Sequence, residues 1–457
     1  MARTPATAAA TGARGFANNV IHRRVGRRMR GGSPAVTWKD SPVPALPTLD
    51  NASLAEAQAA FLGAVEPLGH TTVQLRSAQG YALALPVFAP IALPSFDNSA
   101  MDGFALRSVD VAAATPARPV MLSAVGEAAA GHAFRGALHF GQTARVMTGA
   151  PLPAGADAVL PNEEAISAAG FLQVTAAVAP ERHVRRAGED VGVGQLALEA
   201  ASTLGPAELA LLAALGIASV RVVRRPRVAI ITTGDELRLP GVPLGVGGVY
   251  NANLFALCAQ LREAGAEPVP LSAVADEPGE IDVALNTALQ ADAVVTSAGV
   301  CDGDHDHMSA ALRRRGEFSG GCLRLRPARH VGLGLIDGKP VFALPGNPAA
   351  GLIAFELLVR PATLRLGGHR SWRRPLVQAT LVEPIQSGRG VTQAIWVSLD
   401  GGNDGYRVRP AGRQGAGMLG PAARAHGLLI VPEAVEHIAA GTVVPVQLLT
   451  GSAPDEA

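Results

Sequence analysis

The stretch Asp292–Asp306, DAVVTSAGVCDGDHD, joins residue types that bind phosphate to residue types that bind a cation. An apolar run, Ala293 to Val295, breaks into Ser297, Ala298, Gly299 and Gly303, and then into Asp302, Asp304 and Asp306. A buried strand that stops in a glycine turn lets backbone N–H groups face a ligand, and carboxylates at its end suit an oxygen-loving divalent cation. Taken alone, the stretch reads equally well as a polar turn after a core strand. Two further stretches repeat the pattern. The apolar run Val228–Thr232 ends in Thr233-Gly234-Asp235-Glu236, and Val341–Leu344 ends in Pro345-Gly346-Asn347-Pro348. Carboxylates alone would repel phosphate, so their company with glycine loops implies a bridging ion such as Mg²⁺ on a phosphorylated or nucleotide ligand. No GxxxxGK[ST] sequence occurs, which excludes a P-loop, and no Gx[SC]xG elbow is present. Cys301 is a poor nucleophile candidate, because an arbitrary loop cysteine is usually inert.

Three loops elsewhere carry polar groups at turns. In SFDNSAMDGFAL (95–106) an Asp-Asn and an Asp-Gly pair bracket Met101. In ARVMTGAPLPAGADAVLPNE (144–163), Thr148-Gly149 followed by Pro151 and Pro153 predicts a rigid turn that holds a hydroxyl. HVRRAGEDVGVGQ (183–195) sets Arg185 and Arg186 near Glu189 and Asp190, a pattern that a surface salt-bridge loop also produces.

The elements that must position these loops follow from periodicity. Ser53-Leu-Ala-Glu56 is a capping box that opens a helix to about Val65. Short alternating runs across 107–182 predict a small β-rich domain, and a compact helix follows at Ala207–Gly216. Asn251 or Asn253 caps a helix whose Leu254, Leu257, Cys258 and Leu261 fall on one face. With helices at Ile281–Ala291, Met308–Arg315 and Ala349 to about Arg360, strands alternate with helices as in a doubly wound α/β domain with a mostly parallel sheet. Right-handed crossovers then bring loops 233–236, 297–306 and 345–348 to one edge, where such sheets bind ligands. After Trp372 only short runs remain, from Leu376–Val382 to Val443–Leu449, which predicts a small β-barrel or sandwich.

Composition bounds the rest. A chain of 457 residues, 48% hydrophobic and 17% charged, is globular and too long for one core. A net charge of +1 gives no field that favours nucleic acid or an anionic membrane, and no charge-free apolar run is long enough to span a bilayer. Residues 1–40 hold eight Lys+Arg against one acid and read as a disordered basic tail (1–47) more readily than as a transit peptide or an anion-binding arm. Only Lys39 and Lys339 are lysines, so anion recognition falls to arginine. The sparse cysteines Cys258, Cys301 and Cys322 fit a reducing, cytoplasmic setting.

Six motifs together resemble the molybdopterin molybdenumtransferase family, which includes bacterial MoeA and the E-domain of gephyrin. They are PSFDNSAMDGFA (94–105), ARVMTGAPLPAGADAV (144–159), RRAGEDV..G (185–194), RPRVAIITTGDEL (225–237), AGVCDGDHD (298–306) and FALPGNPAA (342–350), in family order. The resemblance implies a multidomain α/β plus β fold: an elongated domain (48–96 and 182–223), an inserted β-rich domain (97–181), a molybdopterin-binding α/β domain (224–369) and a C-terminal β-barrel (370–450). It implies a head-to-tail homodimer whose site lies between the α/β domain of one chain and the 94–105 and 144–159 loops of the other. It also implies insertion of molybdenum from molybdate into adenylylated molybdopterin, with a divalent cation and release of AMP. A molybdopterin adenylyltransferase or molybdoenzyme chaperones are the implied partners.

Carried over by position, Asp102, Thr148, Asp190, Glu236, Asp276 and Asp306 match catalytic residues, with Glu236 and Asp306 on the cation. Thr148 and the backbone after it are expected to bind an oxyanion such as molybdate, which Asp102 would orient. Ser99, Gly149, Thr233, Gly234, Asp235, Ser297, Gly299, Gly303, Arg326, Pro345, Gly346 and Asn347 are the expected substrate contacts. The chain departs from the family where GGVS reads Ala298-Gly-Val-Cys301, followed by Asp302 where an apolar residue is usual. It departs again where KPGKP reads Arg326-Pro-Ala-Arg-His330, where Cys322 replaces a basic residue, and where QGSG reads Gln414-Gly-Ala-Gly417. Ala328 is expected to stiffen its loop by losing glycine's access to positive φ. These departures leave a second reading, a paralogue that binds molybdopterin or its cofactor for delivery or regulation without inserting metal.

Overall fold

A computed structural model describes residues 46–300, 307–401 and 405–449. The segment read as a tail therefore lies outside the described residues except for Leu46 and Pro47, as do Cys301, Asp302, Gly303, Asp304 and Asp306.

The α/β part is built on a six-stranded sheet. Glu267–Pro270, Arg227–Thr232, Ala293–Ser297 and Lys339–Leu344 run parallel in that order. His330–Ile336 and Glu317–Cys322 extend the sheet antiparallel, a hairpin that the helix–strand alternation did not reveal. Period-two alternation divides the strands between two cores. Val228, Ile230, Ala293 and Val295 pack with Leu254, Leu257, Cys258 and Leu261 of helix Ala252–Glu263. Ala229, Ile231 and Val294 face Ile281 and Leu285 of helix Pro278–Ala288 and Leu312 of helix His307–Arg315. The Ser53–Glu56 capping box forms, and its helix Leu54–Gly63 stacks Phe61 on Phe342 with ring centroids 5.4 Å apart. Among the described residues no helix is long and apolar enough to cross a membrane.

Segments 70–99 and 184–223 interleave. His70–Gln74 pairs with Ser219–Val223, Val87–Phe88 with Leu196–Leu198, and Asn98–Ser99 with Val184–Arg185. The chain between them curls into a second six-stranded sheet, ordered Ala158–Pro161, Gly103–Leu106, Gln142–Val146, Val120–Ala128, Phe171–Val174, Ile166–Ala168. Gly103 is required there, because a Cβ at that position would lie 2.1 Å from the Leu160 carbonyl oxygen. At the C-terminal end, Thr392–Asp400, Tyr406–Pro410, Leu376–Leu381, Val443–Leu448 and Gly427–Val431 close into a five-stranded barrel, the last strand pairing back onto the first.

Two charge clamps hold the sheet and the barrel in place. At the base of the sheet, Arg224 grips Asp292 through two bonds of 2.6 Å, and the Arg227 N–H donates to the same carboxylate at 2.8 Å. At the joint to the barrel, Glu356 lies in the π-helical turn Phe355–Val359 and is only 4% exposed. Arg374 donates to both its oxygens at 2.9 and 3.0 Å, Gln447 of the barrel donates at 3.2 Å, and Arg374 also meets Glu263 at 2.7 Å. Burying this pair costs desolvation, so its value lies in orienting the barrel, but removing one partner strands the other charge.

Glu356→Ala should therefore lower stability by roughly 3–5 kcal/mol, read as a fall in the denaturant midpoint, with Glu356→Gln intermediate. Burial alone would raise the Asp292 carboxyl, but the bonds from Arg224 and Arg227 outweigh it and hold the group below its ordinary value of 3.8. Because the folded value is the lower one, this contribution is complete above 3.8 and fades as the pH falls towards the folded value. Asp292→Asn should cost roughly 1–2 kcal/mol near neutrality and much less near pH ~2, measured by urea unfolding at both.

Candidate functional site

The parallel strands deliver their carboxyl ends to a cleft of about 730 Å³. Thr233, Glu236, Asp276, Ser297, Gly299, Pro345, Gly346 and Asn347 all line it, together with Tyr250, Asn251, Asn253, His307 and His330. Two asparagines set its geometry. The Asn251 side chain accepts the Leu254 N–H at 3.1 Å as the helix cap, and its amide donates to Thr232 Oγ1 at 2.8 Å. Asn253, in the first turn of the same helix, donates to Ser297 Oγ at 2.8 Å and to the Gly346 carbonyl at 2.7 Å. Thus one amide ties the 297 and 345–348 loops together. Backbone bonds from Thr233 N to Ser297 O at 3.3 Å and from Ala298 N to Leu344 O at 3.1 Å continue the register of the sheet into the loops. Ser309 Oγ donates to Gly299 O at 2.8 Å and anchors the far side. The sequence offers Asn251 and Asn253 as alternative caps, and the structure makes Asn251 the cap. Their place at the start of the helix that follows strand Arg227–Thr232 is the only sequence signal of a site role, and His307, His330 and Tyr250 carry none.

The acids gather in one corner. Gly234 has φ +149, and a Cβ there would meet the Glu236 carboxylate at 2.6 Å, so glycine is what lets Glu236 fold back over the turn. The Asp276 N–H donates to Asp235 Oδ1 at 3.3 Å. Although the Asp276 side chain still reaches solvent, partial burial and then the facing charges of Asp235 and Glu236 push its carboxyl above the usual range. Crowded carboxylates of this kind are the donor type that a hard divalent cation relieves. No group of three or more His, Cys, Asp or Glu among the described residues is already arranged around a metal-sized space. Asp306, the expected partner of Glu236, and Gly303 lie outside the described residues.

Arg326 lies apart from this cleft, in an adjoining cavity of about 390 Å³ between the α/β sheet and the barrel. Arg329, Trp396, Gln414 and Ala416 line it too, and His330 borders both spaces. Neither the Arg326 nor the Arg329 guanidinium is paired with an acid among the described residues, while Gln414 bonds both the Trp396 N–H and its carbonyl.

A second cluster forms on the curled sheet. Thr148 donates its N–H to Asp102 Oδ1 at 2.6 Å and its hydroxyl to the same oxygen at 2.9 Å. These two bonds, and more weakly the field of Arg145, hold the Asp102 carboxyl below its ordinary value. Ser99 O accepts the Gly149 N–H at 2.8 Å, so Ser99, Asp102, Thr148 and Gly149 form one turn. Within the single chain both Thr148 donors are engaged by Asp102. The loop at 183–195 differs from its expected pairing: the Arg186 guanidinium pairs with Asp97 and Glu181, and only its N–H meets Glu189. Asp190 is exposed nearby. None of Asp102, Thr148 or Asp190 lines the cleft of its own chain.

The cost of a missing glycine also falls elsewhere than expected. Ala328 is fully buried and is not among the residues at positive φ, whereas Ala298 has φ +83 at the strand end facing Gly346. An alanine held there is strained by about 1–2 kcal/mol. Ala298→Gly should leave the thermal midpoint unchanged or raised, although the same change in an ordinary helical or strand position costs about 0.5–1 kcal/mol.

Family models match three parts of the chain: the MoeA N-terminal region (domain I and II) at residues 52–216, a probable molybdopterin binding domain at 229–365, and the MoeA C-terminal region (domain IV) at 378–449. The chain is 38% identical over 387 residues to molybdopterin molybdenumtransferase 2 of Mycobacterium tuberculosis (strain CDC 1551 / Oshkosh), covering 83% of this chain and 95% of that protein. It is 35% identical over 305 residues to molybdopterin molybdenumtransferase of Haemophilus influenzae, covering 66% and 74%. The crystal structure of the molybdopterin biosynthesis MoeA protein from Pyrococcus horikoshii OT3 superposes with a TM-score of 0.77 at 26% identity, over 87% of this chain and 100% of that one. With the motifs, the sheet-edge cleft and these relatives in agreement, the chain belongs to the molybdopterin molybdenumtransferase family and is an enzyme of molybdenum cofactor biosynthesis.

Proposed function

We propose that this enzyme inserts molybdenum from molybdate into adenylylated molybdopterin and releases AMP, with the substrate seated in the cleft at the carboxyl edge of the α/β sheet. The observation that carries this reading is the stitching of three strand-end loops by Asn251 and Asn253 beside the crowded acids Asp235, Glu236 and Asp276. Thr233, Gly234, Ser297, Gly299, Pro345, Gly346 and Asn347 present small side chains and backbone to the pterin and its phosphate. Glu236, with Asp306, would hold a divalent cation, for which Mg²⁺ is the best match. When bound, the ion supplies positive charge to the phosphoanhydride that is cleaved. Asp276 confines that charge, and its raised carboxyl makes it responsive to the cation. Arg326, whose guanidinium has no acidic partner among the described residues, would meet an oxyanion beyond His330.

We further propose that the working site needs two chains in a head-to-tail homodimer. None of Asp102, Thr148 and Asp190 lines the cleft of its own chain, and no hydrogen bond or ion pair among the described residues links 97–181 to 224–369, so these three residues would act on a partner's cleft. Asp102, kept ionised by Thr148, would orient a water through the water's proton, or the incoming oxyanion together with a cation. The free thiols of Cys258 and Cys322 suit a reducing cytoplasm.

Incubation of the purified protein with adenylylated molybdopterin and molybdate should give molybdate-dependent AMP release and a molybdenum-loaded pterin. Asp102→Ala and Glu236→Ala should each cut the rate by about 10²-fold or more. Full insertion by both variants would refute the assigned roles, and binding without release would favour a delivery protein. Mixing the two inactive variants under subunit exchange should restore roughly a quarter of wild-type activity, because half the dimers are mixed and each has one intact site. No recovery, with exchange verified, would sink the shared site.

A further inference from the structure

Arg145 occupies an unusual place on the curled sheet. Strand register sets it opposite Phe104 on one side and Glu127 on the other, three residues before Thr148. It is exposed, and its guanidinium makes no hydrogen bond or ion pair among the described residues. Two other arginines near this loop are engaged, Arg182 with Glu164 and Arg186 with Asp97 and Glu181, while Arg185, opposite Asn98, is exposed like Arg145. Arg145 borders an open groove of about 770 Å³, together with Asn162, Phe104, Glu127 and Phe171. Asn162 joins the groove to the turn, because its N–H donates to the Asp102 carbonyl at 3.0 Å.

None of the residues that form that turn, Ser99, Asp102, Thr148 and Gly149, carries a counter-charge. Asp102 presents a carboxylate, and both Thr148 donors already serve it. An anionic group brought to this turn would meet repulsion unless a cation came with it. We infer that Arg145 is a further substrate-binding residue, one that takes a tetrahedral oxyanion beside the Asp102–Thr148 turn. This rests on the reading of that turn as part of the substrate site. A guanidinium suits the task because its planar fork donates two parallel bonds to a phosphoryl or molybdate-type oxyanion and keeps its charge at any working pH. The adjacent groove leaves room for the rest of a nucleotide- or pterin-sized ligand.

The test compares Arg145→Gln and Arg145→Lys with the wild type in the molybdenum-insertion assay, varying molybdate and adenylylated molybdopterin separately at several salt concentrations. Wild-type turnover in the same assay shows that the parent reading holds, so the variants test Arg145 alone. Arg145→Gln should raise one KM by about tenfold, with a smaller change in kcat and a weaker salt dependence of that KM. Arg145→Lys should recover part of the loss. A rise confined to molybdate identifies that oxyanion, and a rise confined to the nucleotide substrate identifies its phosphate; either supports the inference. Because Arg145 is exposed, unchanged melting and elution should accompany the effect. Unchanged KM values for both substrates, or a fall in kcat alone with the wild-type salt dependence retained, would overturn it.

Discussion

The Asn253 side-chain amide is the contact on which the cleft depends. It donates to Ser297 Oγ and to the Gly346 carbonyl, so the ends of two neighbouring strands are spaced by one rigid group. Without such a tie the loops would be set only by their own backbone preferences, which glycine leaves loose. The amide is itself fixed, because its helix begins at the Asn251 cap and that cap is bonded to the end of strand Arg227–Thr232. Three strands and one helix are therefore registered at a single point. The cavity between them is preformed, which spares a ligand the cost of ordering it.

Electrostatics divide the labour between the two polar centres. At the sheet edge, Asp235, Glu236 and Asp276 crowd together and Asp276 resists ionisation, a condition that a cation would relieve. At the Asp102–Thr148 turn the opposite holds: two donors stabilise one carboxylate oxygen and the charge is locked in. One centre invites positive charge, and the other presents a fixed negative charge near the exposed Arg145. The buried Glu356–Arg374 clamp gives the barrel a fixed pose, and with it the loop whose Ala416 carbonyl accepts the Ala350 N–H at 3.0 Å beneath the Asn347 turn.

Departures from the family pattern acquire separate weights in three dimensions. Ala328 is a buried residue without positive φ and costs little, whereas Ala298 bears strain at the mouth of the cleft. Cys322 sits beside Asp50, Arg324, Arg326 and Arg329, so a lost basic residue there leaves other guanidinium groups in the same small cavity. The charge deficit expected from that substitution is local and partly offset.

The sequence by itself determined the elements and the edge. Val228–Thr232, Ala293–Val295 and Val341–Leu344 are apolar on both faces and end in glycine or proline, and only buried parallel strands with their ligand loops on one side accommodate that pattern. Helix Ala252–Glu263 was legible because four apolar residues repeat at helical spacing. The antiparallel hairpin 317–336 was not, since Phe318 to Cys322 is interrupted by two glycines that carry no periodic signal. Nor could spacing along the chain show that Asn253 bridges residues 44 and 93 positions away. It could not show that Thr148 spends its donors on Asp102, or that Ala298 and not Ala328 holds the strained backbone. Those outcomes depend on directions in space, on which side of a turn an amide points and which dihedral a packed loop must adopt. Tertiary packing sets these, and local composition does not.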